Sequence, residues 1–212
     1  MRHVTRLADQ FFLTARHDAN GRLRMAPRPA RVGLAAALLA ELVVDGHLWA
    51  DNAMVSLRGR RRPVDPLAAS VLHQIAANPG ERDVRTWIKA LSVSATQRVG
   101  WRLAEAGIVR CRQVGLPWTR HTAYVPVDMS TAAVPWALLS YRLTHAEPLG
   151  AGDLLLGGLC RATGLDRWLL DGRPVDVRVH LDTEVARMWA PAREVVRATE
   201  AVVGNAVLSA RH

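Results

Sequence analysis

Eight histidines and two cysteines are the residues in this chain best suited to acid–base, nucleophilic or metal chemistry, and their spacing assembles none of it. His3, His17, His47, His73, His121, His145, His180 and His212 are scattered, and none pairs with another ligand at helical spacing. Cys111 and Cys160 lie outside any metal-type or redox-type spacing, and Cys160, next to Leu156 and Leu159, reads as a small core residue. The chain has no Gly-rich phosphate loop between strand and helix, no Gly-x-Ser-x-Gly and no His-Glu-x-x-His. The expectation is a non-enzymatic protein with no catalytic residue, metal ligand or cofactor.

The arginines carry more information. The formal charge is +9 and Lys89 is the only lysine, so the positive charge is almost all guanidinium. Such a charge points to an anionic partner, and arginine suits bidentate phosphate contacts. A GC-rich genome explains the preference for Arg over Lys equally well, but not the net charge. Arg22, Arg24, Arg28 and Arg31 flank the entrance to an apolar helix. A cation at a helix N-terminus opposes the macrodipole, a conflict that an anion held jointly by helix end and arginines would resolve. Arg98 and Arg102 stand four apart on one helical face, with Glu105 in reach of Arg102. An ordinary solvated face accounts for that pair as well as a phosphate site does. The candidate anion-binding residues are therefore Arg24, Arg28, Arg31, Arg98 and Arg102.

A second feature is the loop Leu116-Pro117-Trp118, apolar where a hairpin tip should be polar and set beside Arg112, Arg120 and His121. An indole tip among cations matches a loop that dips into lipid headgroups, giving Leu116, Pro117, Trp118 and Arg120 as candidate membrane contacts. The same residues could fold back onto the core or pack in an oligomer.

The elements that position these residues are mostly helical. Residues 31–46 form the centre: from Val32 to Val44 only Glu41 is not apolar, Pro27 and Pro29 close the approach, and Gly46 sits where a left-handed cap belongs. A helix apolar all round must be covered on all sides, and this one is too short to span a bilayer. Leu7 to Leu13 reads as a short helix or strand, Asp18-Ala-Asn-Gly21 as a turn, and Arg22 to Met25 as a hairpin arm. Two short strands are expected around Asp51-Asn52, then an exposed Arg58-Gly-Arg-Arg-Arg62 loop. Asp65-Pro66 starts a helix. Val84, Trp87, Ile88 and Leu91 define the next. Ser94 caps a third, with Val99, Leu103 and Ala106 inward and Gly107 as its stop. A hairpin over residues 108–127 precedes helical segments over 134–143, 153–163 and 165–170. A turn at Asp171-Gly-Arg-Pro174 follows, and the chain is helical from Asp182 onward with an interruption near Pro191. Half the residues are hydrophobic, enough for one sizeable core. The fold class is mainly α: a single globular domain over residues 1–212, with a hydrophobic central helix, surrounding amphipathic helices and a few β-hairpins. The polar N-terminus and unpaired cysteines point to a reducing cytoplasm.

Taken in order, these segments resemble the Golgi phosphoprotein 3 (GPP34) family. The matching stretches are Leu7-Ala-Asp-Gln-Phe-Phe-Leu13, Asp18-Ala-Asn-Gly-Arg22, Leu38-Leu-Ala-Glu-Leu-Val-Val-Asp-Gly-His-Leu48, Asp65-Pro-Leu67 and its helix, Trp87-Ile-Lys-Ala-Leu-Ser92, Leu103-Ala-Glu-Ala-Gly-Ile-Val109 and Val127-Asp-Met-Ser-Thr131. They cover about Arg6 to Leu170. The composition fits a high-GC, actinobacterial-like bacterial member. The resemblance implies a peripheral membrane protein, cytoplasmic and held at the inner face of a membrane. Eukaryotic members bind phosphatidylinositol 4-phosphate and recruit cytoplasmic tails of membrane-anchored glycosyltransferases. The family's pocket tryptophan falls near Ala26, its arginine in the core helix near Ala35, and its two further arginines near Val93 and Thr96. That headgroup site is thus not preserved as such. The partners expected are an anionic phospholipid surface, tails of membrane proteins and a second copy of the chain. Nucleic acid, read by helix-then-wing elements, is a weaker alternative because the helices lack an exposed polar run aimed at base edges.

Overall fold

A computed structural model describes residues 6–59, 62–116, 118 and 120–209. In chain order the elements are α1 (Leu7–Thr14), α2 (Pro27–Val44), β1 (Leu48–Asp51), β2 (Met54–Leu57), α3 (Pro66–Ala76), α4 (Val84–Ser92), α5 (Ala95–Glu105), β3 (Val109–Val114), β4 (His121–Pro126), α6 (Met129–Thr144), α7 (Ala151–Thr163), α8 (Asp166–Leu169), α9 (Val175–Ala186) and α10 (Ala190–Ser209).

Helix α2 is buried from Val32 to Val43 without interruption. It is sheathed by α1, α3, α4, α5, α7 and α10, which answers the requirement its all-round apolarity imposes. Pro27 and Pro29 lie inside its first turn rather than ahead of it, where a missing N–H costs no intrahelical bond. Its far end closes on Gly46 at φ +72°, with the Gly46 N–H donating to Val43 O and the His47 N–H to Leu42 O. The end of α5 repeats this cap. Gly107, at φ +67°, donates to Ala104 O and Ile108 to Leu103 O. Both caps turn the chain straight into a strand, because the left-handed residue reverses direction while satisfying the last carbonyls.

Both hairpins are two-stranded and antiparallel, pairing Leu48 with Leu57 in one and Val109 with Pro126 in the other. The turn between β1 and β2 places Asn52 at φ 49° and Ala53 at φ 62°. Alanine is strained there, and the Ala53 N–H donates to the Glu194 carboxylate of α10 at 3.1 Å, which holds the turn. Ala53→Gly should therefore raise unfolding stability by about 0.5–1 kcal/mol, read as a higher urea midpoint at unchanged slope.

Several boundaries differ from the expectation. Arg22 to Met25 is not a strand; a single bridge between Arg16 and Leu23 closes the turn. Ser94 precedes α5 but its side chain makes no capping hydrogen bond, and Ala106 is exposed. Helix α6 begins at Met129, capped by Asp128 through the Ser130 and Thr131 N–H groups, and runs through Pro135. Helix α9 begins at Val175 rather than near Asp182.

Candidate functional site

The structure does not gather the five candidate arginines into one place. Arg24 leaves the turn after α1 and lays its guanidinium over the Trp168 ring, 3.6 Å from the centroid. There it donates to Arg16 O at 2.8 Å and to Asp18 at 3.3 Å. Its side chain is only 5% exposed. Burial lowers its pKa and Asp18 works against that. Arg24 thus fastens the residue 17–24 turn to α8. Arg28 and Arg31 sit in the first two turns of α2, both exposed, with no carboxylate partner among the described residues.

Arg98 and Arg102 do share a face of α5, and with Trp101, Glu105, Asp65 and Ser70 they line a shallow groove of about 300 Å³. Their surroundings differ. Arg98 donates to Ser70 Oγ at 2.8 Å, has no carboxylate partner among the described residues, and has its pKa lowered by burial. Arg102 is turned inward to three carboxylates: Nε to Asp9 Oδ1 at 2.9 Å, Nη1 to Asp65 Oδ2 at 2.9 Å and Nη2 to Glu41 Oε1 at 3.3 Å. Burial works to lower its pKa, but Glu41, Asp9 and Asp65 outweigh it and the net shift is upward. Arg6 adds a second cation against Glu41 and Asp65 at 3.7 and 3.6 Å.

Each carboxylate in this cluster also holds backbone or helix geometry. Glu41 accepts the Ala8 N–H at 2.8 Å, satisfying a donor at the start of α1 from within the core helix. Asp65 caps α3 by accepting the Ala68 N–H at 2.8 Å, as the Asp-Pro dipeptide foretold. Asp9 is raised to about 6, first by burial, with Arg102 opposing and Glu41 and Asp65 adding to the rise. The cluster ties α1, α2, α3 and α5 together and leaves Arg102 little capacity for an external anion.

Sequence reasoning missed two further cations and rings. Arg16 is buried with its guanidinium 3.6 Å above the Phe12 ring and a hydrogen bond to Phe12 O. Burial pushes its pKa down to about 10. Arg58 lies 3.8 Å over the Trp49 ring, which meets Trp189 edge-on at 5.3 Å. Only the i,i+4 spacing of Phe12 and Arg16 was a local signal for either.

At the β3–β4 tip the described apolar residues are exposed. Leu116 is 58% exposed and Trp118 78%; Arg120 follows in sequence and is exposed, as are Arg110 and Arg112 on β3. Pro117 lies outside the described residues. Where the resemblance places the family's core-helix arginine, Ala35 is wholly buried among its neighbours. Among the described residues no group of His, Cys, Asp and Glu could hold a metal ion, and no helix is long and apolar enough to cross a membrane. Cys160 is fully buried and its thiol pKa is raised, chiefly by that burial.

An apolar core helix in a helical sheath, with two small antiparallel hairpins, defines a mainly α-helical single domain. The chain belongs to the Golgi phosphoprotein 3 (GPP34) family, whose sequence profile matches residues 7–209. The match runs on through α9 and α10, beyond the Arg6 to Leu170 stretch that the motif resemblance covers. No curated protein matches the chain.

Proposed function

We propose that this protein is a non-enzymatic peripheral membrane protein that binds anionic phospholipid, as a bacterial member of its family acting at the inner face of a membrane. The observation that carries the reading is the β3–β4 tip: Trp118 is 78% exposed, and Arg120 and, further down β3, Arg112 are exposed on the same hairpin. A bulky indole left in water serves no packing role, whereas in the headgroup zone its ring is covered while arginines meet lipid phosphates. Arg28, Arg31 and Arg98 supply further cations without carboxylate partners among the described residues. Arg24 and Arg102 contribute by holding the scaffold. The tails of membrane proteins are the partners such an adaptor would recruit.

Flotation with phosphatidylcholine vesicles, with and without phosphatidylglycerol, tests this. An arginine at an anionic surface contributes about 1 kcal/mol and a buried indole adds a comparable amount. Trp118→Ala combined with Arg120→Ala should therefore lower the bound fraction at limiting lipid by roughly tenfold or more. Binding that ignores lipid charge and survives both substitutions would remove the proposed surface.

A further inference from the structure

A larger groove lies away from the hairpin tip, between the end of β2 and the outer face of α3, with a volume of about 760 Å³. Its apolar floor includes Leu57 and Leu72, and its polar side chains are Arg58, Arg62, Ser70 and His73. Among the described residues no carboxylate lines it. Every polar side chain there can donate a hydrogen bond, so the groove presents donors and positive charge without a competing acid.

Two of these groups are held in place. Arg58 rests its flat face on Trp49, an arrangement that occupies the π surface and leaves the in-plane N–H groups pointing outward. Ser70 Oγ accepts from Arg98, so its own proton stays available and a third, partly desolvated guanidinium backs the groove. Arg58, Ser70, His73 and Arg62 are all exposed rather than folded against the core.

We infer that this groove binds a phosphate monoester carried on an apolar or mixed body. A doubly charged, three-oxygen acceptor matches the donor set. The volume exceeds what inorganic phosphate fills and falls in the range of small-molecule sites, so the apolar floor covers the rest of the ligand. The ligand can be a soluble phosphate ester or the headgroup of a monoester lipid, which present the same chemistry. This site is separate from the hairpin tip and stands or falls independently of it.

The test is a titration of the full chain with hexyl phosphate and with inorganic phosphate, followed by backbone amide NMR and calorimetry. Hexyl phosphate should shift amides at residues 57–59 and 70–76 and bind more tightly than inorganic phosphate. Arg58→Gln with Arg62→Gln should weaken it at least tenfold while lowering the melting temperature by no more than about 4 °C, the cost of the lost Trp49 contact, and His73→Gln alone should weaken it less. Flotation on vesicles containing phosphatidate identifies the source. Loss of binding in the double variant points to the lipid, and unchanged flotation with lost hexyl phosphate binding points to a soluble ester; either supports the groove. Equal affinity of wild type and double variant for hexyl phosphate overturns it, as do shifts confined to Arg28 and Arg31. The Trp118 and Arg120 variants of the flotation experiment above leave hexyl phosphate binding untouched, so the two readings fail separately.

Discussion

Replacing Arg102 with methionine should lower unfolding stability by about 3–5 kcal/mol, the range seen when one partner of a buried ion cluster is removed. The guanidinium is 14% exposed, and Asp9, Glu41 and Asp65 around it are 13%, 5% and 9% exposed. Without it, among the described residues, Glu41 and Asp65 keep Arg6 at distances longer than 3.5 Å. Methionine keeps the stem's packing, so the loss reports on charge rather than on a cavity. The pH dependence has a definite sign. Asp9 holds its proton up to about 6 in the folded state, well above its ordinary value of 3.8. Stability from that protonation is fully present below about 4 and is lost as pH rises through 6, an effect on the order of 3 kcal/mol. Asp9→Asn should remove this term, flattening the stability profile between pH 5 and pH 8. Arg102→Met should be more damaging at pH 8 than at pH 5, because Asp9 has then lost its proton. Urea unfolding at both pH values measures it, and a cost under 1 kcal/mol at each would mean that water has replaced the arginine.

That cluster also marks the boundary of what the sequence could reveal. Residues whose cause is local were legible. The run from Val32 to Val44 could only be a sheathed helix, Asp65-Pro66 could only open one, and Gly46 and Gly107 announced their caps. Arg102 was legible as a cation on a helix face but not as the partner of residues 93, 61 and 37 positions away. Glu41 looked like a carboxylate at the end of an apolar run, and nothing nearby indicated that it would accept the Ala8 N–H. Arg24 was similar. Its stacking partner Trp168 lies on α8, brought close only by the packing of α1 and α7.

Other differences came from patterns that read two ways. Val175, Val177, Val179 and Leu181 alternate as a strand would, yet the same stretch, continued to Val185, buries Val177, Leu181 and Val185 at helical spacing. The 177–181–185 stripe wins because α7 and α6 offer a face for it. The helical segment expected from residue 134 starts at Met129, because Asp128 caps it and Pro135 is accommodated inside the helix. The hairpin tip, by contrast, was legible because Leu116 and Trp118 break the local rule that tips are polar, and the structure leaves both outside the core. The candidate arginines were the least legible part, since a guanidinium facing water and one facing carboxylates have the same local sequence.

Gly33→Ala should destabilise the protein by about 1–3 kcal/mol although alanine favours a helix interior by nearly 1 kcal/mol. A Cβ at this position would lie 2.2 Å from Phe11 Cζ and 2.9 Å from Thr163 Cγ2, so α1 and α7 both close on α2 at the same point. Phe11 is wholly buried, so its ring can yield only by displacing the close-packed core around it. Shortening that side chain should relieve the clash. Phe11→Leu alone loses buried area and should cost about 1–2 kcal/mol, while the Gly33→Ala, Phe11→Leu pair should cost less than the two changes summed, by roughly 1 kcal/mol. Urea unfolding of the four proteins closes the cycle, and strict additivity would mean that α1 slides freely along α2. Coupling of the expected sign would tie the position of α1, and with it Asp9 beside Arg102, to a contact made on the opposite side of the same helix. The apolar crossing and the ion cluster would then set one another's geometry, the first by excluding a methyl group and the second by holding three carboxylates around one cation.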